Sequence, residues 1–203
     1  QTVTFEVVSV SNSSLLVGDK VVISSTGALS YSLEPNANGS ALVTVRLVDN
    51  GGTTDGGDNT SPSISFLITV NPINDNPSFA LDGNPPTVQE NAGLQTIPNF
   101  ATNITVGPDD ESAQLPVFAV MAGPTTGNLT FITSPSIEST GTLTYRPTTD
   151  TSGTATFNVT LTDGFATTST QTFTITVESV NEPPTVANPI ADRTAPLGET
   201  FAF

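Results

Sequence analysis

Apolar and polar residues alternate with period two along most of this chain. Ala155, Phe157, Val159 and Leu161 fall on one face of a run whose other face carries Thr156, Asn158, Thr160 and Thr162. That is the pattern of a strand with one side buried. Asp163-Gly164 interrupts it as a turn does. Phe173, Ile175 and Val177 then alternate with Thr172, Thr174, Thr176 and Glu178. Asn181-Glu182-Pro183-Pro184 ends the run, because proline cannot donate to a sheet ladder. The same arrangement occupies 45–77, closing on Asn74-Asp75-Asn76-Pro77. Further runs predict strands over 1–8, 20–23, 27–33, 41–48 and 63–70, with a turn at 35–39 and a long Gly/Asp/Thr loop over 49–62. Beyond them the pattern predicts strands over 87–90, 94–97, 101–106, 115–121, 128–133, 141–146, 155–162 and 171–177, with an acidic turn at 107–111. No segment carries helical periodicity, and Thr, Val and Phe dominate the periodic runs. The expectation is an all-β chain.

The pattern repeats. Tyr31 and Tyr145, Gly39 and Gly153, Ala41 and Ala155, Val45 and Val159, and Asp49 and Asp163 each stand 114 residues apart. Phe5 and Phe118 stand 113 apart, and Phe66 and Phe173, like Val70 and Val177, stand 107 apart. The change of offset puts extra residues in the loop after Asp49, where insertions are tolerated. A chain that closes one unit and at once opens the next is a tandem array. The predicted division is 1–76 as an N-terminally truncated first repeat, 77–182 as a complete second repeat, and 183–203 as the opening strand or strands of a third. Each repeat is expected to be an antiparallel β-sandwich, and the array to be elongated. Ala41, Val43, Val45 and Leu47 should face the first core as Ala155, Phe157, Val159 and Leu161 face the second. Tyr31 and Tyr145 occupy equivalent inward positions and are read as core rather than as platforms for sugar rings.

Charge narrows the partners. The formal net charge is −15, and only Lys20, Arg46, Arg146 and Arg193 are basic. Such a surface repels nucleic-acid phosphates and anionic lipid and attracts divalent cations. No apolar run reaches the length of a membrane span. The chain has no cysteine and no histidine, so disulfides, thiolate metal sites and Ser-His-Asp or Cys-His catalysis are excluded. The remaining chemistry is that of oxygen ligands, which suits Ca²⁺ or Mg²⁺. The sequons at Asn12, Asn38, Asn103, Asn128 and Asn158 are expected by chance in a chain rich in Ser and Thr.

Several short motifs carry a family resemblance. "VTLTDG" at 159–164 is similar to a penultimate-strand motif, and "NDNP" at 74–77 resembles a calcium-binding linker, with Pro72 in place of its first Asp. "VQEN" at 88–91 resembles a Glu-Asn near the start of a repeat, and "ITVGPDDE" at 104–111 falls where an Asp-x-Asp follows the second strand. "PPTVANPIADRTAPLGETFAF" at 183–203 looks like the opening of a dystroglycan-type cadherin-like domain. Together they resemble the cadherin-like, Ig-like tandem repeats of large bacterial surface and secreted proteins.

The resemblance implies calcium at the junctions between repeats. Before the second repeat the ligands would be Asn74, Asp75 and Asn76 from the linker, with Asp109, Glu111 and Asp163 from the top of the repeat. At its far end they would be Glu90, Asp150, Asn181 and Glu182. Ca²⁺ takes six to eight oxygens, usually with several carboxylates. The structural alternative is that these residues shape turns through their own backbone. For the acidic loop 49–58, flexibility is the preferred reading over an ion site.

The resemblance also implies a structural or adhesive extender at the bacterial cell surface or outside the cell, not an enzyme. Its partners would be neighbouring repeats or other copies, with a cell-surface glycan or protein as a further target. The second class is a carbohydrate-binding accessory module of a polysaccharide-degrading enzyme, against which stands the absence of Trp. A two-carboxylate glycosidase is the third, but the carboxylates cluster at turns and junctions. One more expectation concerns assembly. Unpaired edges in the first repeat invite strands from other chains, and 191–203, with its alternation Thr200-Phe201-Ala202-Phe203, is a candidate donor to a neighbouring copy, closing a ring or building a filament.

Overall fold

The computed structural model describes residues 1–184 together with Leu197 and Gly198. The expected third repeat therefore lies almost wholly outside the described residues. The chain folds as β1 (Val3–Val10), β2 (Leu16–Ile23), β3 (Leu29–Leu33), β4 (Gly39–Asp49) and β5 (Ile64–Val70). It continues as β6 (Ser78–Leu81), β7 (Val88–Gln89), β8 (Gln95–Ile97), β9 (Ala101–Thr105), β10 (Val117–Thr125), β11 (Phe131–Ile137), β12 (Leu143–Pro147), β13 (Gly153–Thr162) and β14 (Gln171–Glu178). The only helical turns among the described residues are short 3-10 segments at Ser13–Leu15, Thr54–Gly56 and Asp109–Glu111. The all-β expectation is met.

Two groups of sheets result. In the first, β1-β4-β5 form one sheet and β2-β3 another. In the second, β10-β13-β14-β7 and β11-β12-β8 form two sheets, and β6-β9 pair separately. The pairings repeat residue for residue. Val43 faces Phe66 and Ala41 faces Ile68 across β4 and β5. Phe157 faces Phe173 and Ala155 faces Ile175 across β13 and β14. Phe5 meets Leu47 as Phe118 meets Leu161. Because side chains alternate sides, equal register puts equivalent residues on the same face.

Each group encloses its own core. The second gathers Phe79, Phe100, Leu143, Tyr145, Phe157, Val159, Leu161, Phe173 and Ile175 among others. Its aromatic rings touch: Phe157 stacks on Phe173 at 5.4 Å between centroids, and Phe100 meets Phe173 edge-on at 5.0 Å. The first core is smaller and aliphatic, built from Leu15, Leu16, Val21, Ala41, Val43, Val45 and Ile68, with Phe66 half-buried beside it.

The structure corrects four expectations. Leu47 is 37% exposed, whereas its equivalent Leu161 is fully buried. Tyr31 is 43% exposed, whereas Tyr145 is fully buried. In the second case the cause is visible: Tyr145 lies on β12, which pairs with β8, and β3 has only β2 beside it among the described residues. The strand expected over 128–133 runs instead over Phe131–Ile137 and contains Pro135. It tolerates the proline because the register shifts between Thr133 and Ser136, at an irregularity where no ladder donor is needed. Finally, β6 has no counterpart in the pattern reading, since four residues directly after Pro77 are too few to display an alternation.

Candidate functional site

β5 ends at Val70 and β6 begins at Ser78. The linker between them is held by one side chain, Asn74. Its Nδ2 donates to the Asp75 carbonyl at 2.7 Å and to Asp163 Oδ2 at 3.2 Å. Its Oδ1 accepts from Gln114 Nε2 at 2.9 Å. One residue on, the backbone N–H of Asp75 donates to Glu111 Oε1 at 2.8 Å. Asp163 closes the turn after β13: its Oδ1 accepts the N–H groups of Phe165 and Ala166, both at 2.7 Å. That is a carboxylate folded onto the backbone two and three residues ahead, as Asp does in turns. The Ala166 N–H is the main reason its pKa lies below the ordinary Asp value; burial opposes that shift, and the Phe165 N–H and the Asn74 amide reinforce it.

Glu111 and Asp163 are the buried charged residues of the described chain, 7% and 5% exposed. Glu111 reaches its place from the 3-10 turn Asp109–Glu111, and Gly107 makes room for it. A Cβ at Gly107 would land on Glu111 Oε2. That oxygen is buried without a hydrogen-bond partner among the described residues, and so is Gln114 Oε1. A cleft of about 380 Å³ opens beside them, walled by Asn38, Pro72, Asp110 and Phe165. Across it Asn38 Nδ2 donates to Asp110 Oδ2 at 2.8 Å, tying the turn before β4 to the top of the second group.

The six residues expected at this junction are thus divided. Asn74, Asp75, Glu111 and Asp163 come together, Asp75 through its backbone. Asp109 and Asn76 are exposed and make none of these contacts. Gln114, Asn38 and Asp110 join the cluster without having been named as ligands, although Asp110 lies in the 104–111 motif and Asn38 in the turn at 35–39.

The far end is organised in the same way by Asn91. Its Nδ2 donates to Glu182 Oε1 and its Oδ1 accepts the Asp150 N–H, each at 3.0 Å. Glu90 Oε1 accepts the Val180 N–H at 2.7 Å. Asn181 is exposed. Asp150 has φ 59°, and Asn36, its equivalent in the first group, has φ 58°, so this position is a left-handed turn in both. Among the described residues no three Asp or Glu side chains converge as a metal group.

The donor set at the first junction nonetheless fits a hard cation in one respect. A buried carboxylate oxygen and a buried amide oxygen both lack a donor, and the ion pair found among the described residues, Arg46 with Glu6, lies elsewhere. In another respect the oxygens are occupied: both Asp163 oxygens and Glu111 Oε1 already accept N–H groups.

Paired sheets around alternating cores, antiparallel except where β7 runs parallel to β14, define an Ig-like β-sandwich protein. The chain belongs to the bacterial Ig domain family, whose model matches residues 74–176. The resemblance read from its motifs agrees with that membership. Its structure is similar to human mucin-like protocadherin EC1-2, with a TM-score of 0.47 and 14% identity over 89% of this chain and 86% of that one. It is similar to human protocadherin-24 EC1-2, with a TM-score of 0.46 and 14% identity over 87% and 82%. It is also similar to domains 1-6 of the surface layer protein SbsC, with a TM-score of 0.36 and 18% identity over 92% of this chain and 21% of that one. No curated protein sequence matches. No helix among the described residues is long and apolar enough to cross a membrane.

Proposed function

We propose that this chain is a run of extender modules in a large bacterial surface or secreted protein, with a structural or adhesive role and no catalysis. The observation that carries the reading is the repeated register: the same strand pairings, with equivalent residues on equivalent faces, occur twice in one chain. The reading divides the chain at the 71–77 linker into 1–76 and 77–182, which the repeated register supports. The bonds of Asn74 and Asp75 to the top of the second group, together with Asn38 to Asp110, support a junction that limits bending.

Small-angle scattering tests the shape. A compact chain of 203 residues has a radius of gyration of about 17 Å. End-to-end sandwiches, each about the ~33 Å length of a ten-residue strand, give a clearly larger value. A radius near the compact figure overturns the array.

Calcium is the finer part of the reading. Among the described residues Glu111 and Gln114 offer oxygens without donors, and Asp163, bonded to Asn74, supplies neighbouring charge. A bound ion would neutralise carboxylates that have no cationic partner among the described residues. The test is thermal melting in millimolar calcium against chelator. An ion that binds only the folded chain stabilises it by roughly 2.7 kcal/mol at a hundred times its Kd. Superimposable melts, with Glu111→Gln also insensitive to calcium, overturn the calcium reading and leave the array standing.

A further inference from the structure

We propose that β10 pairs edge to edge with β10 of a second copy of this chain, antiparallel about a two-fold axis at Ala119, so that the two sheets run on as one. This lateral partner is distinct from the neighbouring repeats of the extender reading, and the case for it is internal to the molecule. β1 and β10 are equivalent strands, and each stands at the edge of its sheet among the described residues. An edge strand takes up another strand unless charge or a bulge prevents it. β1 carries both guards: Glu6 is exposed at mid-strand and paired with Arg46, and the register breaks between Val7 and Ser9. In β10 both are missing. At the 113-residue offset of Phe5 and Phe118, Ala119 stands in the place of Glu6, and it faces Thr160 where Glu6 faces Arg46. The ladder of β10 is unbroken from Val117 to Ala122. No charged residue occurs anywhere over 112–137, in a chain of net charge −15. On the outer side of this strand Val117 and Met121 are 56% and 55% exposed.

Charge selects the occupant. Two copies of so acidic a chain repel over most of their surfaces, and they approach with least repulsion where charge is absent. The geometry of self-pairing agrees. Residues directly opposite in an antiparallel pair point to the same side of the sheet. A strand paired with its own copy therefore has its axis through a residue, not between two. With the axis at Ala119, Val117 meets Met121 of the second copy at each end, and the two small Ala119 side chains lie between. With the axis at Val120, Val117 would meet Gly123, beyond the unbroken ladder. On the inner side a cleft of about 380 Å³ opens between β10 and β11, walled by Val120, Ala122, Leu129, Phe131 and Phe157. A strand added to β10 lies along its mouth, so main-chain bonds and apolar cover act together. The contact is two-fold and closed, so it stops at a dimer.

Sedimentation velocity on the full chain tests the pairing. Between about 10 μM and 1 mM it should show a monomer–dimer equilibrium with nothing larger. Ala119→Glu supplies the guard that β1 has and sets two carboxylates face to face, so it should weaken association at least about tenfold. Ala119 is exposed, so circular dichroism and melting of the dilute variant should match those of the parent. A second measurement reads the register. The chain has no cysteine, so Ala119→Cys adds a single thiol. Residues opposite each other have Cα atoms about 4.5 to 5.5 Å apart, within the span of a disulfide. Mild oxidation should therefore lock the Ala119→Cys dimer. Val117→Cys should stay reduced, because the two copies of that position lie four residues out of register. A chain that is monomeric throughout, association untouched by Ala119→Glu, or cross-linking as ready at Val117 as at Ala119 overturns the proposal. The extender reading is judged on the shape of the dilute monomer and is untouched by any of these results.

Discussion

Asn74 and Asp163, 89 positions apart in the sequence, are joined by a hydrogen bond of 3.2 Å from the Asn74 amide to the buried carboxylate. The same amide group also engages Gln114 and the Asp75 carbonyl, so a single neutral side chain fastens the linker to two loops of the second group. Replacing Asn74 with Ala removes all three bonds and leaves a buried carboxylate and a glutamine less well satisfied. Leaving a buried polar group without its partner costs about 1 to 3 kcal/mol. The expected result is a loss in that range in denaturant titration, without a change in far-ultraviolet circular dichroism. Asn74→Asp should be worse at neutral pH, because it sets a third carboxylate beside Asp163 and Glu111, and should recover toward the Ala variant as the pH falls.

Acid should act on the same cluster. The folded chain holds Asp163 below its ordinary pKa, chiefly through the Ala166 N–H. A depressed folded pKa means that the contribution is complete above the unfolded value and is lost as the pH falls through the folded one. Stability should therefore be flat above about pH 5 as far as this group is concerned and should decline below about pH 4. Asp163→Asn keeps the acceptor geometry at one atom but cannot titrate. Its melting temperature should start lower at pH 7 and fall less between pH 5 and pH 2. Parallel acid limbs for the two proteins would contradict the assignment.

How far the sequence foretold this structure depends on the range of the interaction. Strand faces were legible because alternation is local: Phe173, Ile175 and Val177 were expected inward and are buried. Tyr31 was misjudged because its burial is set by a neighbouring strand, which the alternation of β3 does not encode. The junction was legible where a turn residue bonds its own backbone, as Asp163 does. It was opaque at Gln114 and Asn38, whose partners lie 40 and 72 positions away. The motif reading named Asn74 among the junction residues but not Asn91, and at each end of the second group it is one of these asparagines that joins the loops.

Tyr145 offers a test of the second core. Its ring is fully buried against Phe131, at 6.2 Å between centroids, yet its hydroxyl has no hydrogen-bond partner among the described residues. Burial alone pushes its pKa up. Removing an unsatisfied buried group should help, so Tyr145→Phe is expected to raise stability by about 1 kcal/mol. A comparable loss instead would mean that the hydroxyl is satisfied in solution by a buried water.

Gly107 couples backbone to site. It adopts φ 146°, a conformation that side chains disfavour, and its N–H donates to Thr105 Oγ1 at 3.1 Å. The space where a Cβ would stand is taken by Glu111 Oε2. Gly107→Ala therefore carries two costs, backbone strain and displacement of the Glu111 carboxylate. Strain of this kind is worth about 1 to 3 kcal/mol, and the displaced carboxylate should add to it by disturbing the bond from the Asp75 N–H. A double-mutant cycle separates the two. In a Glu111→Ala background the steric part vanishes and only the strain remains, so Gly107→Ala should cost clearly less there than in the parent chain. Equal costs in the two backgrounds would show that Glu111 does not occupy the place beside Gly107 in solution.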